Sequence, residues 1–284
     1  MSVIEAKALS KRYGTKIALD AVNLSVPAGR IVGLIGPNGA GKTTALKAIL
    51  GLTDFLGELK VLGLNPHSQR DELMQNVSFI ADVAILPRWI RVADLVAFTQ
   101  SVHPKFDRAR FDALINKTEV KSKARVRELS KGMVAQLHLS LVMAIDAKLL
   151  VLDEPTLGLD IIYRKRFYDT LLNDYFDQEK TIIVTTHQVE EIQHILTDLI
   201  FIQHGRIVLD ASMDAVAERF TEVMVPAAKA DLARALKPLN ERQVFGKHVF
   251  LFDSVDRHTL GELGEINVPG VADLFVATMS EQAA

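Results

Sequence analysis

IVGLIGPNGAGKTT, residues 31–44, is the most informative stretch of this chain. Five apolar residues come first, and unbroken apolar character is typical of a strand that is covered on both faces. The pattern G-x-x-x-x-G-K-[S/T] follows, and a helical pattern begins at Thr43. The glycines allow backbone conformations that turn N–H groups toward an anion, and the helix presents its positive N-terminal end to the same place. The stretch therefore predicts a phosphate-binding loop between a buried strand and a helix, with a glycine-rich turn that binds nothing as the alternative.

Two side chains of this loop have distinct chemical roles. The Lys42 ammonium would reach the β- and γ-phosphates of a nucleotide, and the Thr43 hydroxyl would hold Mg²⁺. The glycines would let backbone N–H groups face the phosphates. The predicted nucleotide contacts in the loop are Gly36, Asn38, Gly39, Ala40, Gly41, Lys42, Thr43 and Thr44.

Outside the loop, short apolar strands alternate with helical patterns. Such alternation is typical of an α/β fold with a mostly parallel central sheet. Residues 87–144 hold helical patterns without a clear strand, which indicates a helical insertion, and residues 220–284 read as a small α+β appendage. Before the appendage, strands are predicted at 31–35, 77–81, 149–152, 181–185 and 199–202, and helices at 43–50, 91–101, 108–117, 131–144, 163–175 and 190–196. Within the appendage, strands are predicted at 221–225, 242–245 and 248–252, and helices at 229–236, 255–263 and 270–279.

The composition excludes several classes of protein. The chain has 284 residues, of which 49% are apolar and 24% charged, and this ordinary globular balance argues against disorder as the main state. A net charge of −2 gives no field that would favour nucleic acid, and the lack of cysteine excludes disulfides and thiol-based sites. The sequence has no run of about 20 apolar residues and no signal-peptide pattern. We therefore expect a cytosolic chain without direct membrane insertion.

A second chemical motif lies at residues 149–154, where four apolar residues lead into Asp153 and Glu154. A strand sends consecutive side chains to opposite sides, so the two carboxylates can have different roles. Asp153 suits the coordination shell of Mg²⁺, and Glu154 can polarise an attacking water molecule. A solvated strand end is the alternative. Pro155 ends the strand directly after the two acids, and two adjacent acids after four apolar residues form a specific pattern that favours the functional role.

Together these motifs resemble the nucleotide-binding subunit of ABC transporters over about residues 3–215. LSKGM at 129–133 occupies the position of the family signature, TLGLD at 156–160 is similar to the D-loop, and TTH at 185–187 is similar to the segment of the switch histidine. The order and spacing of these segments carry the resemblance. The LSKGM signature is similar to that of the YtrB-type branch of bacterial multidrug or antibiotic-response exporters.

The resemblance implies roles for further residues. Tyr13 would stack on adenine, and His187 would bind the γ-phosphate and help to orient the water. Ser130 and Gly132 of a second subunit would complete the site. Aspartate stands at position 82 where the family has glutamine; it could contact Mg²⁺ or its water, or be an ordinary loop residue. The catalytic residues are thus expected to be Glu154, His187 and Lys42, and the metal ligands Thr43, Asp153 and Asp82.

The resemblance also implies a fold and partners. The fold would be a P-loop NTPase ABC cassette with a RecA-like parallel sheet, an antiparallel β subdomain and a helical subdomain. The cassette would span residues 1–219, with the helical subdomain at about 87–144, and residues 220–284 would form an accessory α+β domain. ATP and Mg²⁺ would bind between two chains, in a homodimer or in a dimer with a paralogue. The pair would drive an integral membrane permease at the cytoplasmic face of the inner (plasma) membrane.

Four questions stay open at this point. Lys131 and Met133 depart from the usual signature, which would suit a regulatory ATP-binding module with weak hydrolysis, although the retained acid and histidine argue against it. A soluble ABC-type ATPase that acts on the ribosome or DNA is a second possibility. The four cations at 121–127 could touch nucleic acid, but a solvated face is the more common role of such a run. Trp89 is either an interface anchor toward the permease or a local core residue.

Overall fold

The computed structural model describes residues 2–80, 86–186 and 188–281, and the strands in these residues form three sheets. The strands are β1 (Ser2–Tyr13), β2 (Lys16–Pro27), β3 (Ile31–Ile35), β4 (Leu56–Val61), β5 (Val77–Ile80), β6 (Leu149–Asp153), β7 (Thr181–Thr185), β8 (Asp198–Gln203), β9 (Arg206–Ser212), β10 (Phe220–Val225), β11 (Asn240–Val244), β12 (Lys247–Asp253) and β13 (Glu265–Asn267). The helices are α1 (Lys42–Ile49), α2 (Arg70–Met74), α3 (Val92–Val102), α4 (Arg108–Ile115), α5 (Lys131–Met143), α6 (Ile161–Thr170), α7 (Val189–Ile192), α8 (Met213–Arg219), α9 (Ala230–Ala235), α10 (Arg257–Gly261) and α11 (Val271–Glu281). Short 3₁₀ turns lie at Val126–Glu128 and Ala227–Lys229, and a π-helical turn lies at Leu171–Tyr175.

The central sheet has six strands in the order β5-β6-β7-β3-β8-β9. The first five are parallel, and β9 is antiparallel to β8. Every predicted strand of this sheet is present, and β3, β6 and β7 are buried along their whole length, as their apolar sequences indicate. Residue 81, at the end of one predicted strand, lies outside the described residues. The α/β fold with a mostly parallel sheet is confirmed, and it brings the carboxyl ends of β3, β6 and β7 to one edge, where ligands of such sheets bind.

A second sheet, in the order β2-β1-β4, is antiparallel and confirms the antiparallel subdomain that the resemblance implies. The sequence pattern did not locate its strands, and the reason is local. Ala8 and Ala21 have positive φ angles of 49° and 48°, and the register of the β1–β2 pairing shifts beside both. Such bulges interrupt the two-residue alternation by which a strand is recognised in a sequence.

A helical segment between β5 and β6 is built on α3, α4 and α5, which share a small apolar core that includes Val96, Phe111 and Leu137. In the predicted insertion at 87–144, the described residues contain no named strand, so its helical character is confirmed. Trp89 is 68% exposed. The alternative in which Trp89 is a local core residue is therefore wrong.

Two predicted helices differ from the structure in their extent. The helix predicted at 163–175 begins two residues earlier as α6, because the Asp160 side chain caps its first turn by accepting backbone N–H groups. The prediction of a helix at 190–196 is wrong beyond Ile192. The N–H of Ile195 donates to the carbonyl oxygen of Ile192 at 2.9 Å, so the backbone there forms a tight turn instead of a helix.

The C-terminal segment forms an antiparallel sheet in the order β11-β12-β10-β13, covered by α9 and α10. Its predicted strands and helices are present, whereas β13 is too short to leave a recognisable pattern. The last helix, α11, packs on the main core instead. Val271, Leu274 and Ala277 belong to the same apolar cluster as side chains of β3, β6 and β7, and the Phe275 ring meets the Phe201 ring edge-on at a centroid distance of 5.2 Å.

Candidate functional site

The phosphate loop bends sharply between β3 and α1. Gly41 has a φ angle of 116°, and a Cβ atom at this position would lie 2.5 Å from the carbonyl oxygen of Ala18. A Cβ atom at Gly36 would lie 2.3 Å from the carbonyl oxygen of Ile202. Both distances are too short for a side chain, so only glycine fits at these two positions. The loop is thereby held close against β2 and β8.

Lys42 is the first residue of α1, and its side chain turns back into the loop. The Nζ atom donates to the carbonyl oxygens of Gly36 at 2.6 Å and of Pro37 at 3.2 Å, and the residue is only 8% exposed. A buried ammonium group next to a helix N-terminus creates a positive potential. The loop is therefore suited to a phosphate group.

Asp153, at the end of β6, receives hydrogen bonds from two neighbouring elements. The Thr43 hydroxyl of α1 donates to its Oδ2 at 3.2 Å, and the Thr185 hydroxyl of β7 donates to its Oδ1. Mg²⁺ prefers carboxylate and hydroxyl oxygens, and it usually binds through one or two carboxylates plus substrate phosphates. The residues present fit this metal. In the part of the chain that the structure describes, no group of three or more acidic, histidine or cysteine side chains could hold a metal by itself.

Glu154 follows with an unusual backbone conformation. Its φ angle is +50°, a left-handed value that costs energy in a residue with a side chain; such values occur at functional sites and also at bulges such as those at Ala8 and Ala21. Its N–H donates to the carbonyl oxygen of Thr185 at 3.1 Å, which holds the turn in place. Glu154 lines the same pocket as Lys42 and Thr43.

This pocket has a volume of about 300 Å³ and contains most of the predicted residues in its wall. Gly36, Ser130 and Gly132 are not part of the wall. Asp82 and His187, two further predicted site residues, lie outside the described residues. The wall consists of Tyr13, Lys16, Ala18, Asn38, Gly39, Ala40, Gly41, Lys42, Thr43, Thr44, Asp153 and Glu154.

Tyr13 and Lys16 reach the pocket from the hairpin between β1 and β2, where they are cross-strand partners. The Tyr13 ring is 48% exposed, and its hydroxyl lies 3.5 Å from that of Thr53. An exposed aromatic ring at the mouth of a pocket can stack on a planar base. Sequence analysis missed Lys16, although its place opposite Tyr13 across a two-residue turn is a signal that could have identified it.

The predicted signature segment lies at the start of α5, away from the pocket. Ser130 is exposed, and its hydroxyl caps the helix by accepting the N–H of Met133 at 3.2 Å. A Cβ atom at Gly132 would lie 3.6 Å from the carbonyl oxygen of Gly158. The signature segment therefore lies beside the TLGLD loop of its own chain.

The TLGLD loop is held at both ends. Asp160 accepts the N–H groups of Ile162 and Tyr163, and the hydroxyls of Thr156 and Tyr168 lie 3.4 Å apart. Burial raises the pKa of Tyr168 to about 12, so this hydroxyl stays neutral. The loop and the first turn of α6 present apolar side chains to solvent, and such clusters mark interaction surfaces. The exposed apolar residues are Leu157, Ile161 and Ile162.

Known proteins resemble the chain in sequence. A model of the ABC transporter family matches residues 19–157. A Nod factor export ATP-binding protein I from Burkholderia orbicola is 34% identical over 221 residues, which are 76% of this chain and 72% of that protein. The chain belongs to the ABC transporter family. A sulfate/thiosulfate import ATP-binding protein CysA from Neisseria meningitidis is 31% identical over 217 residues, which are 73% of this chain and 61% of that protein.

The fold of this ABC protein has solved counterparts. The structure of an ATP-binding subunit of an ABC transporter superposes with a TM-score of 0.68 at 22% identity, and the match covers 76% of this chain and 92% of that one. The cassette fold is thus confirmed, and the protein is an ATP-binding ATPase of the ABC type. Among the residues that the structure describes, no helix is long and apolar enough to cross a membrane.

Proposed function

We propose that this ABC ATPase is the ATP-hydrolysing subunit of an exporter and that two chains form two ATP sites at their interface. The observation that carries the proposal is the contact between the phosphate loop and the acidic strand end. The Thr43 hydroxyl bonds to Asp153, and Lys42 and Glu154 open onto the same pocket. Phosphoryl transfer to water needs positioning and charge stabilisation more than covalent chemistry, and these groups supply both.

The phosphate loop and the β1–β2 hairpin bind and orient ATP. The Lys42 ammonium and the loop N–H groups donate to the phosphate oxygens, and Tyr13 stacks on the adenine. Thr43 and Asp153 would hold Mg²⁺, which when bound would supply neutralisation of the charge on the phosphates. The aromatic ring and the ammonium line the pocket from different elements, β1 and α1, which suits a ligand that carries both a base and phosphates.

Glu154 is the proposed base for the attacking water. Its place in the pocket suits a carboxylate that accepts a hydrogen bond from water and polarises it. The resemblance assigns His187 to the γ-phosphate and the same water, and it assigns Asp82 to the metal or to a water bound on it. These two roles are part of the proposal on the strength of their positions in the sequence.

A second chain completes each site. Ser130 and Gly132 are absent from the pocket wall of their own chain, and Ser130 is exposed. The exposed apolar residues of the neighbouring D-loop and of the first turn of α6 favour an interface at this place. Because one chain has one phosphate loop and one signature, a twofold pair, formed with a copy or a paralogue, gives two complete sites. ATP then stabilises the closed pair, since it contacts both chains only in that state.

The transport partner is an integral membrane permease at the cytoplasmic face of the inner membrane. The helical segment at 87–144 is the proposed docking surface, and the exposed Trp89 is its candidate anchor. The relative named for export and the LSKGM signature support an exporter of the YtrB-type branch. We assign the cassette to residues 1–219 and an accessory domain to residues 220–284.

Glu154→Gln tests this function. The amide keeps the size of the side chain but is a poor base, so hydrolysis should fall by about 10²- to 10⁴-fold while ATP still binds. A dimer that depends on ATP and Mg²⁺ should accumulate, and size-exclusion chromatography with light scattering measures it. Glu179→Gln, in an exposed turn, is the control and should behave as wild type. A Glu154→Gln chain that stays monomeric at saturating ATP and Mg²⁺ contradicts the two-chain site.

A further inference from the structure

Arg164 forms hydrogen bonds to two segments of the chain, the D-loop that follows Glu154 and the segment that follows β7. The Nε atom of Arg164 donates to the carbonyl oxygen of Leu159 at 2.8 Å. Its Nη1 atom donates to Oε1 of Glu191 at 2.9 Å and to the side-chain oxygen of Gln188. Leu159 belongs to the D-loop, whereas Gln188 and Glu191 belong to the segment that follows β7. A single guanidinium group thus joins two parts of the chain that are distant in sequence.

Both segments start from strand ends that form the ATP site. The D-loop leads away from the end of β6, where Asp153 lies, and the other segment leads away from Thr185 at the end of β7. These two residues are already joined by the Thr185 hydroxyl. The N–H of Gln188 donates to the Thr186 hydroxyl at 3.0 Å, which ties the start of the second segment to its strand. Arg164 adds a second connection farther from the sheet.

The bridge is largely enclosed. The Arg164 side chain is 20% exposed and that of Glu191 is 31% exposed. The second carboxylate oxygen of Glu191, Oε2, is buried and has no hydrogen-bond partner among the described residues. Loss of the guanidinium would therefore leave a partly buried carboxylate without its charge partner, which folded proteins avoid.

We propose that Arg164 is a positioning residue for ATP hydrolysis that holds the D-loop and the segment after β7 as one unit. The inference rests on the proposed function, because one segment follows Glu154 and the other follows Thr185, whose carbonyl oxygen accepts the N–H of Glu154. Arg164 is absent from the wall of the ATP pocket, so it acts through its partners. Gly158 of the D-loop lies next to Gly132 of the signature, where an added Cβ atom would be 3.6 Å from the Gly158 carbonyl oxygen, so a movement of the D-loop would reach the surface proposed to face the second chain.

A lysine cannot make this bridge. The guanidinium presents several donors in a fixed plane and reaches the Leu159 carbonyl and the Glu191 carboxylate together. An ammonium group on a flexible stem is a point charge that would settle beside the carboxylate. Arg164→Lys therefore keeps the charge next to Glu191 and removes the connection to the D-loop.

The test compares Arg164→Lys with Arg219→Lys in the full chain. Arg219 in the C-terminal segment forms a bidentate interaction with Asp253. Its Nε atom lies 2.7 Å from Oδ1 of Asp253, and its Nη2 atom lies 2.5 Å from Oδ2. Arg164→Lys should lower kcat for ATP hydrolysis by about 10- to 100-fold, because a shift of about 1 Å in a catalytic geometry costs that much. KM for ATP and Tm should stay close to wild type, and Arg219→Lys should keep the wild-type kcat.

Hydrogen–deuterium exchange of the same chains gives an independent readout. In wild type, ATP and Mg²⁺ should slow exchange at both 156–160 and 188–191, and in Arg164→Lys the slowing at 156–160 should be lost. The inference is overturned if the variant shows the same slowing in both segments with kcat within about twofold of wild type. It is also overturned if kcat falls only in step with ATP affinity and Tm. A wild-type chain that hydrolyses no ATP contradicts the proposed function, while the exchange comparison still decides whether the bridge couples the segments.

Discussion

Two helices of this ATPase begin at loops suited to an anion, but only one of the two loops is enclosed by its own chain. α1 begins at Lys42, whose ammonium is buried beside the carbonyl oxygens of the phosphate loop. α5 begins at Lys131, directly after the exposed Ser130. Helix N-termini carry the same partial positive charge in both places, so the dipole does not distinguish the two regions.

The surroundings of the two helices do distinguish them. Near the start of α1, the Asp153 carboxylate already accepts hydrogen bonds from the hydroxyls of Thr43 and Thr185, so three elements meet there. At α5, the Ser130 hydroxyl bonds to its own helix, and the closest loop is the D-loop at Gly158. On the proposed function, a helix start of this kind is half of a site, and a second chain related by a twofold axis provides the other half. One chain would then suffice to bind ATP, whereas closure and hydrolysis would need two.

The largest expected effect comes from removal of the buried ammonium at α1. Lys42→Ala should weaken ATP binding by at least about 100-fold, because hydrogen bonds to charged groups contribute about 1.5–3 kcal/mol each and more than one is lost. Isothermal titration calorimetry with ATP and Mg²⁺ measures the Kd. Lys47→Ala, on the exposed last turn of the same helix, should bind ATP as wild type does. An unchanged Kd for Lys42→Ala would show that the start of α1 is not the anion site, and α1 and α5 would then not differ in this respect.

A smaller effect concerns the free energy of unfolding at acid pH and a histidine on α5, the helix that begins at the signature. Burial lowers the pKa of His138, on α5, to about 4, and its Nδ1 has no hydrogen-bond partner among the described residues. The unfolded chain takes up this proton as the pH falls through 6.5, whereas the folded chain stays neutral down to about 4. The folded state therefore loses stability as the pH falls through this range. Between pH 7 and pH 5 the loss from His138 amounts to about 2 kcal/mol.

His138→Gln removes this titration without adding a charge. Urea unfolding at pH 7 and pH 5 measures the free energy of unfolding. On acidification this free energy should fall by about 2 kcal/mol less in the variant than in wild type. His258→Gln is the control, since that imidazole is 85% exposed, and it should lose as much as wild type. Hydrogen exchange at pH 5 should show α5 opening before α1. If the free energy of unfolding falls equally in His138→Gln and in wild type, His138 does not make α5 more sensitive to acid than α1.

The phosphate loop and the acidic strand end were predictable because both are local patterns. A glycine pattern with Lys42 and Thr43 follows one apolar run, and Asp153 and Glu154 follow another. Parallel strands bring their carboxyl ends to one edge of the sheet, so two local patterns on neighbouring parts of that sheet meet in space. The contact from Thr43 to Asp153 at 3.2 Å is the result.

Residues that act through tertiary placement left no such pattern. Lys16 reaches the pocket from a hairpin whose strands contain bulges, which hides their alternation in the sequence. Arg164 bonds to a backbone carbonyl and to the side chain of Glu191, 27 positions farther along the chain. Neither a helical period nor a motif spacing encodes a contact of that kind. The extent of α7 was mispredicted for a related reason, since its end depends on a turn and not on the apolar pattern.

The central claim is that each ATP site uses the phosphate loop of one chain and the signature of the other. Mixing two inactive variants tests it most directly. Lys42→Ala damages the phosphate loop, and Ser130→Arg fills the space in front of the signature with bulk and charge. A dimer of either variant alone has two damaged sites. In an equal mixture half of the dimers contain one chain of each kind, and in these one of the two sites joins an intact loop to an intact signature.

The measurement is the ATPase rate of the two variants separately and after mixing. If each site joins two chains, either variant alone should hydrolyse almost no ATP, and the equal mixture should return to about a quarter of the wild-type rate. A mixture that hydrolyses ATP no faster than the sum of its separate variants would contradict the two-chain site.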